Sequence, residues 1–365
     1  MKSLLGDVTY ERAYYHCAHC HTGIFPTDGE FHLEQHQTPG ACEVISLMGV
    51  LEPFEEGANA ALPRLSGLNV SASTVQRTTE AAGSDLAAQR AAGATFGPER
   101  PWKWNRDASG HTVAYVGLDA TSVPQQGPHA EKAEGRMPWV GMVFNPQPTH
   151  EEHRRQRVWE SRYISGLMSL EELGTQLRGE CRAVGVDQAD LVIALSDGGN
   201  GLEDCLVKVL SGLTPQMVFI LDFWHVSEHL QEFANVFVTD ETRRNTQVQA
   251  WCHQLKHDGG QAVLEELESL NLAQASPTIR ESHRQLTGYI RSNLHRMDYP
   301  RYVAQGWQIG SGKVESACKA VVCQRLKGPG MRWHAPGTTA LCQLRALYKS
   351  QPACWERYWN TSTAT

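Results

Sequence analysis

Leu191-Val192-Ile193-Ala194-Leu195-Ser196-Asp197-Gly198-Gly199-Asn200 decides the fold. Five apolar residues in a row, closed at once by an acid and two glycines, read as a strand covered on both faces that ends in a tight turn. Such a strand needs helices above and below it, which places the chain in the α/β class. Upstream, Thr112 to Leu118, Trp139 to Phe144 and Arg157 to Tyr163 read as three successive strands, an antiparallel meander. A helix from about Ser169 to Ala183 leads into the central run. Beyond it a helix at Leu202 to Leu210 and a strand at Met217 to Leu221 follow.

The resulting order, β-β-β-α-β-α-β, is that of an RNase H-like mixed sheet. Residues 226–309 then read as an α-helical insertion, with Ile279, Leu286, Ile290 and Leu294 on one helix face, so the sheet domain is assigned to 112–225 and 310–350. In front of it, 1–38 alternate like a small ribbon, 39–93 turn helical with a break at Pro53, and 94–111 read as a linker. Residues 351–365 are left as a C-terminal tail.

The 365 residues allow two or three domains and a large core. At 41% hydrophobic and 20% charged, with no apolar run of membrane-span length, the composition is that of a soluble protein. The first residues carry no signal-peptide pattern, so the ten cysteines are expected as reduced thiols in a cytoplasmic setting. A net charge of −7 argues against a nucleic-acid partner until its distribution is read. Between Arg280 and Lys349 twelve Lys or Arg stand against three acids, an excess of nine positive charges.

Three acids stand where chemistry would want them. Asp119 ends the strand Tyr115-Val116-Gly117-Leu118-Asp119, Asp197 follows the central strand, and Glu315 lies in Gly310-Ser311-Gly312-Lys313-Val314-Glu315, where a Gly-rich turn with Ser311 as N-cap candidate launches a helix. Carboxylates converging in one cleft repel unless a cation neutralises them, and hard oxygen ligands select Mg²⁺ or Mn²⁺. A pair of such ions about 3.5–4 Å apart supports in-line displacement at phosphorus. Each acid also has a plain reading: Asp197-Gly198 as an ordinary turn, Asp119 as a strand terminator, Glu315 with Lys319 as a surface ion pair. The three together outweigh any one alone.

Four strings carry a family resemblance: Tyr115-Val-Gly-Leu-Asp-Ala-Thr121, Ser196-Asp-Gly-Gly-Asn-Gly-Leu202, Leu221-Asp-Phe-Trp-His225 and Ile309-Gly-Ser-Gly-Lys-Val-Glu-Ser316. With the tail Arg325-Leu-Lys-Gly-Pro-Gly-Met-Arg-Trp333, the chain resembles bacterial insertion-sequence DDE transposases of the ISKra type, relatives of the Mutator-like group, over roughly residues 2 to 350. The resemblance implies metal-dependent DNA strand cleavage and strand transfer, with Asp119, Asp197 and Glu315 as the catalytic triad. It also implies double-stranded DNA as partner, both the element's terminal repeats and the target, and a homo-oligomer on paired ends. Asp222 and His225 form a D-x-x-H pair; Asp222 rivals Asp197 as second metal ligand, and His225 is either a phosphate-orienting group or a core histidine bonded to Asp222.

DNA contacts are expected from two places. Leu68 to Arg77 reads like the second helix of a helix-turn-helix, with Ser71 or Ser73 as cap, Val75 inward, and Ser73, Thr74, Gln76 and Arg77 outward. The basic stretch offers Lys313, Lys319, Arg325, Lys327 and Arg332 for phosphates and Trp333 for stacking. Cys17-x-x-Cys20 is half of a zinc site, with His16, His21, His32, His36 and Cys42 as candidates to complete it; the alternative is reduced structural thiols. Two other functions stay open: a DNA-binding derivative or shortened copy of a transposase that does not cut, and a glycosidase using Asp119 with Asp197, which the basic flank disfavours.

Overall fold

Successive side chains of a strand point to opposite faces, and the sequence from Val113 to Leu118 sorts itself accordingly. Val113 and Tyr115 join one buried cluster; Ala114, Val116 and Leu118 join another. In the computed structural model, which describes residues 1–33, 36–145, 160–199, 201–214, 216–310 and 312–362, this segment is β1 (Thr112–Ala120) of a mixed sheet. Its other long strands are β2 (Trp139–Phe144), β3 (Ser161–Gly166), β4 (Leu191–Ser196) and β5 (Met217–Leu221), in the spatial order β3-β2-β1-β4-β5. β1, β2 and β3 pair antiparallel as the expected meander, whereas β4 runs parallel to β1 and β5 parallel to β4. The central apolar run is thus an interior strand. The third strand starts at Ser161, and the expected start at 157 lies outside the described residues.

Helices cover both faces. Besides several short ones, they include in chain order α1 (Pro39–Leu51), α2 (Ala72–Ala91), α3 (Leu170–Ala183), α4 (Leu202–Leu210), α5 (Phe223–Phe237), α6 (Glu241–Asp258), α7 (Gly260–Glu268), α8 (Pro277–Asn293), α9 (Gly312–Ala317), α10 (Ala335–Lys349) and α11 (Cys354–Ser362). Leu173 and Leu177 of α3 and Leu202, Leu206 and Val209 of α4 pack on the even-numbered face. The helical insertion packs on the other: Leu230, Phe233, Trp251, Leu255, Leu267, Leu286 and Ile290 share one cluster with Tyr115, Ile193 and Leu195. Ile279 and Leu294 are partly buried against the same cluster, as their spacing requires.

Several boundaries need correction. The described residues of 1–38 form no continuous ribbon; they hold two hairpins of two-residue strands, Lys2–Ser3 with Gly6–Asp7 and Tyr15–His16 with Gly23–Ile24. The expected linker 94–111 is docked. Trp102 and Trp104 are buried on the α3 and α4 side, the Trp104 indole N–H donates to Gly185 O at 2.9 Å, and Asn105–Arg106 pairs with the start of β1. The expected tail is likewise structural: Cys354, Trp355, Tyr358 and Trp359 of α11 are buried with Cys42, Leu86 and Phe96. Apolar aromatic area is the physical reason in both cases, since each such ring removes about 150–250 Å² from water.

α2 is pressed against α10. At Gly83 an added Cβ would come within 2.7 Å of the Ala340 Cα and carbonyl carbon. Backbone cannot yield as a side-chain tip can, so Gly83→Ala is expected to destabilise by about 2–3 kcal/mol. A urea midpoint equal to that of the parent would refute this helix packing. Among the described residues no helix is long and apolar enough to cross a membrane.

Candidate active site

Three neighbouring parallel strands end in acids. Asp119 is the penultimate residue of β1, Asp197 follows β4 directly, and Asp222 follows β5 and caps α5, its Oδ1 accepting from the Trp224 N–H at 2.9 Å. Because β1, β4 and β5 run in one direction, the rule that places ligands beyond the carboxyl ends of strands puts all three on one edge. Their charges feel each other. Burial, first, and then the negative charges of Asp197 and Asp222 push the Asp119 carboxyl above its ordinary range, against hydrogen bonds from the Cys318 thiol and the Ala120 N–H, the latter at 2.7 Å. Both rivals for the second position therefore add to the negative field at Asp119. Asp197 also fulfils its plain reading, since its Oδ1 accepts from the Gly199 N–H at 2.8 Å in a turn.

Glu315 arrives on α9, which leans on β1. Val314 fills the space over Gly117, with its Cγ2 2.5 Å from where a Cβ at 117 would sit; only glycine lets the helix come so close. The helix then continues as a π-helical segment, Cys318–Cys323, whose first thiol bonds Asp119; π segments recur at functional sites. Glu315 itself is exposed, between these two contacts. The alternative Glu315–Lys319 ion pair does not form among the described residues. Ser311 and the Lys313 side chain lie outside the described residues.

His225 sits half-buried on the first turn of α5, with its Nδ1 3.5 Å from Glu228 Oε2. Its ring meets His229 edge to face at 4.8 Å between centroids. Burial, and secondarily the charge of His225, depress the His229 pKa.

Among the described residues no three His, Cys, Asp or Glu side chains are gathered closely enough to grip an ion as they stand. The donors are nevertheless carboxylate oxygens, the ligand type that suits Mg²⁺ or Mn²⁺. Asp119, Asp197 and Asp222 with Glu315 are the residues that would hold it.

Among the expected DNA contacts, the structure separates surface from core. Ser71 caps α2, its Oγ accepting from the Thr74 N–H at 3.2 Å, and Val75 is fully buried. Ser73, Gln76 and Arg77 are exposed on the first turns, with Thr74 partly so. Lys319, Lys327 and Arg332 are exposed; the Lys327 ammonium donates to Thr121 Oγ1 at 2.7 Å, two residues from Asp119.

Arg325 and Trp333 are corrected. The Arg325 guanidinium is buried between the rings of Phe54 and Trp333 and donates from Nε to Gly49 O at 2.9 Å, while the Trp333 indole donates to Leu326 O at 2.9 Å. Arg345 and Arg296 of the same basic stretch are also buried. Part of the charge excess therefore serves internal carbonyls. A guanidinium can do so because its planar fork matches several acceptors at once.

Cys17 and Cys20 are exposed in the turn between the two-residue strands, and hydrogen bonds from Thr22, aided by Cys17, lower the Cys20 thiol to about 7. Cys42 is buried, with its thiol turned to Gln37 Oε1, and so is no candidate to complete a zinc site there.

Sequence reasoning missed Tyr289 and Arg296. Arg296 donates to Ser196 Oγ at 3.3 Å, next to Asp197, and Tyr289 lies against Gly198. Both come from the insertion, roughly a hundred residues away in sequence, and nothing in their local spacing marks them. No protein-family model matches the chain, and no curated protein matches it.

Proposed function

We propose that the chain is a DDE-type DNA transposase with an RNase H-like core, cutting DNA strands at the ends of an insertion sequence and joining them to target DNA. The observation that carries the reading is the edge where β1, β4 and β5 end in Asp119, Asp197 and Asp222, with the Glu315 helix leaning on β1. The sheet order β3-β2-β1-β4-β5, with the first three strands antiparallel and the last two parallel to the first, supports the RNase H-like assignment.

In this reading the acids of the three strand ends would hold a divalent cation, which when bound would supply Lewis-acid stabilisation of charge on the phosphate and a lowered pKa for the attacking hydroxyl. The protein's own groups position the rest. Lys327 places a positive charge beside Thr121, and Arg77 with Gln76 faces a groove of the duplex. No tyrosine or serine nucleophile is needed: water opens the strand, and the freed 3′-hydroxyl attacks the target.

Incubating the protein with a duplex carrying the sequence that borders its gene, plus supercoiled target and Mg²⁺, is expected to give target molecules covalently joined to the labelled 3′ end. Binding of that duplex without joined product in either Mg²⁺ or Mn²⁺ would favour a non-cutting DNA binder. Arg77→Ala is expected to weaken duplex binding about five- to tenfold, in keeping with loss of about 1–1.4 kcal/mol from one charge-assisted contact. An unchanged band-shift midpoint would remove α2 from the DNA interface.

A further inference from the structure

The turn that carries Asp197 is overlaid by an aromatic ring from the insertion. Tyr289 of α8 lies so close that a Cβ on Gly198 would fall 2.6 Å from its hydroxyl oxygen and 2.7 Å from Cζ. The ring is itself braced: His229 of α5 packs against it with centroids 4.3 Å apart, and His225 stands at 6.3 Å. Its hydroxyl is buried and makes no hydrogen bond of good geometry. Ring packing braces Tyr289, with the Gly198 N–H beside its hydroxyl.

A second loop of the site has the same construction. At Gly310, which leads toward the Glu315 helix, a Cβ would come within 2.6 Å of Trp224 Nε1 and 3.8 Å of Asp222 Oδ1. Flat rings on glycines are a means of fixing a turn that has no side chain of its own, because close packing converts any backbone shift into a clash. Asp197 sits on the turn so fixed; without the ring, its carboxylate would be held by the Asx hydrogen bond to Gly199 alone.

We infer that Tyr289 is a positioning residue for the carboxylate site, its ring clamping the Asp197-Gly198 turn so that Asp197 is preorganised to bind a divalent cation. The inference rests on the reading of the acidic edge as a cation site. It makes the insertion a working part of that site, with α8 and α5 delivering the clamp. Preorganisation of this kind tells in binding, because a ligand set left loose must be ordered when the ion arrives.

The test is Mn²⁺ binding to the full chain without DNA, followed by the loss of the free-ion paramagnetic resonance signal at fixed pH. Tyr289→Ala is expected to weaken binding about tenfold and Tyr289→Phe, which keeps the ring, to stay within about twofold of the parent, since a tenfold change corresponds to about 1.4 kcal/mol of lost ordering. Leu267→Ala, a core truncation elsewhere in the insertion, serves as the structural control. It should lower the melting temperature and leave Mn²⁺ affinity unchanged.

Parental affinity in Tyr289→Ala overturns the clamp. So does a Tyr289→Phe loss as large as that of Tyr289→Ala, or an equal loss in Leu267→Ala. A parent chain that binds no Mn²⁺, or binds it as well after Asp119→Asn and Asp197→Asn, instead removes the cation-site reading and the clamp with it.

Discussion

Asp119→Asn is expected to lower strand cleavage by about 10³-fold or more while leaving binding to duplex DNA within a factor of about two. If Asp119 is a cation ligand as proposed, its loss forfeits several kcal/mol of charge stabilisation, and each 1.36 kcal/mol is about tenfold in rate. The side chains proposed to contact DNA are others, on α2 and at Lys327 and Arg332. The same substitution should stabilise the metal-free protein at neutral pH. The carboxyl's pKa is raised in the folded state by burial and by Asp197 and Asp222. A raised carboxyl favours the fold in its protonated form, a contribution complete below the unfolded value of about 3.9 and lost as pH rises through the folded value. Above that, burying the charge disfavours folding. The amide carries no charge to bury, so the melting-temperature gain of Asp119→Asn should be present at pH 7.5, shrink as pH falls, and close near pH 4. A variant less stable than the parent at pH 7.5 without metal would contradict the electrostatics assigned to this edge.

Arg345→Met is expected to destabilise the whole molecule by about 3 kcal/mol or more. The side chain is buried and donates from Nε to Val321 O at 2.7 Å, from Nη1 to Val50 O at 2.6 Å, and to Ala320 O. It thereby satisfies carbonyls of the π-helical segment together with one at the end of α1, 295 residues away in sequence. Methionine keeps the stem but leaves those acceptors without a donor, at about 1–3 kcal/mol for each that stays dry. Burial lowers the guanidinium pKa to about 10, so it is still charged at neutral pH. A chemical-denaturation midpoint within about 1 kcal/mol of the parent would show that the N-terminal helices hold to the core without this link.

The central part of the fold was legible because local rules there agree with the global outcome. The runs at 139–144, 202–210 and 217–221 have one apolar period each and clear turn residues at both ends, and the elements coincide with them. The flanks were misread for opposite reasons. Alternation near Tyr10 and Tyr14 suggested a ribbon, yet too little of it is apolar to bury a face, and Tyr14 and Tyr15 end exposed. The linker reading rests on turn residues and the tail reading on no pattern, although Trp102 and Trp104 two apart, and Trp355, Tyr358 and Trp359 at helical spacing, mark buried strand-like and helical faces.

Of the candidate site, the acids at strand ends were legible, because a strand that stops at an acid shows in sequence. The joint presence of Asp197 and Asp222 was not, since it depends on β5 lying beside β4. Arg325 and Arg345 were counted as surface charge because nothing local announces that carbonyls of Gly49 and Val50 will meet them. Tyr289 escaped for the same reason: a contact between α8 and the β4 turn is a property of packing, not of spacing.

The most direct measurement is cleavage of an end-labelled duplex carrying the element's own termini, in Mg²⁺, Mn²⁺ or EDTA, with the parent chain compared with Glu315→Gln. The account predicts a nick that leaves a 3′-hydroxyl in either metal, none in EDTA, and none in the variant, which should still retard the duplex. Cleavage by Glu315→Gln at the parental rate, or a parent chain that binds these ends and cuts them under no metal, would contradict it.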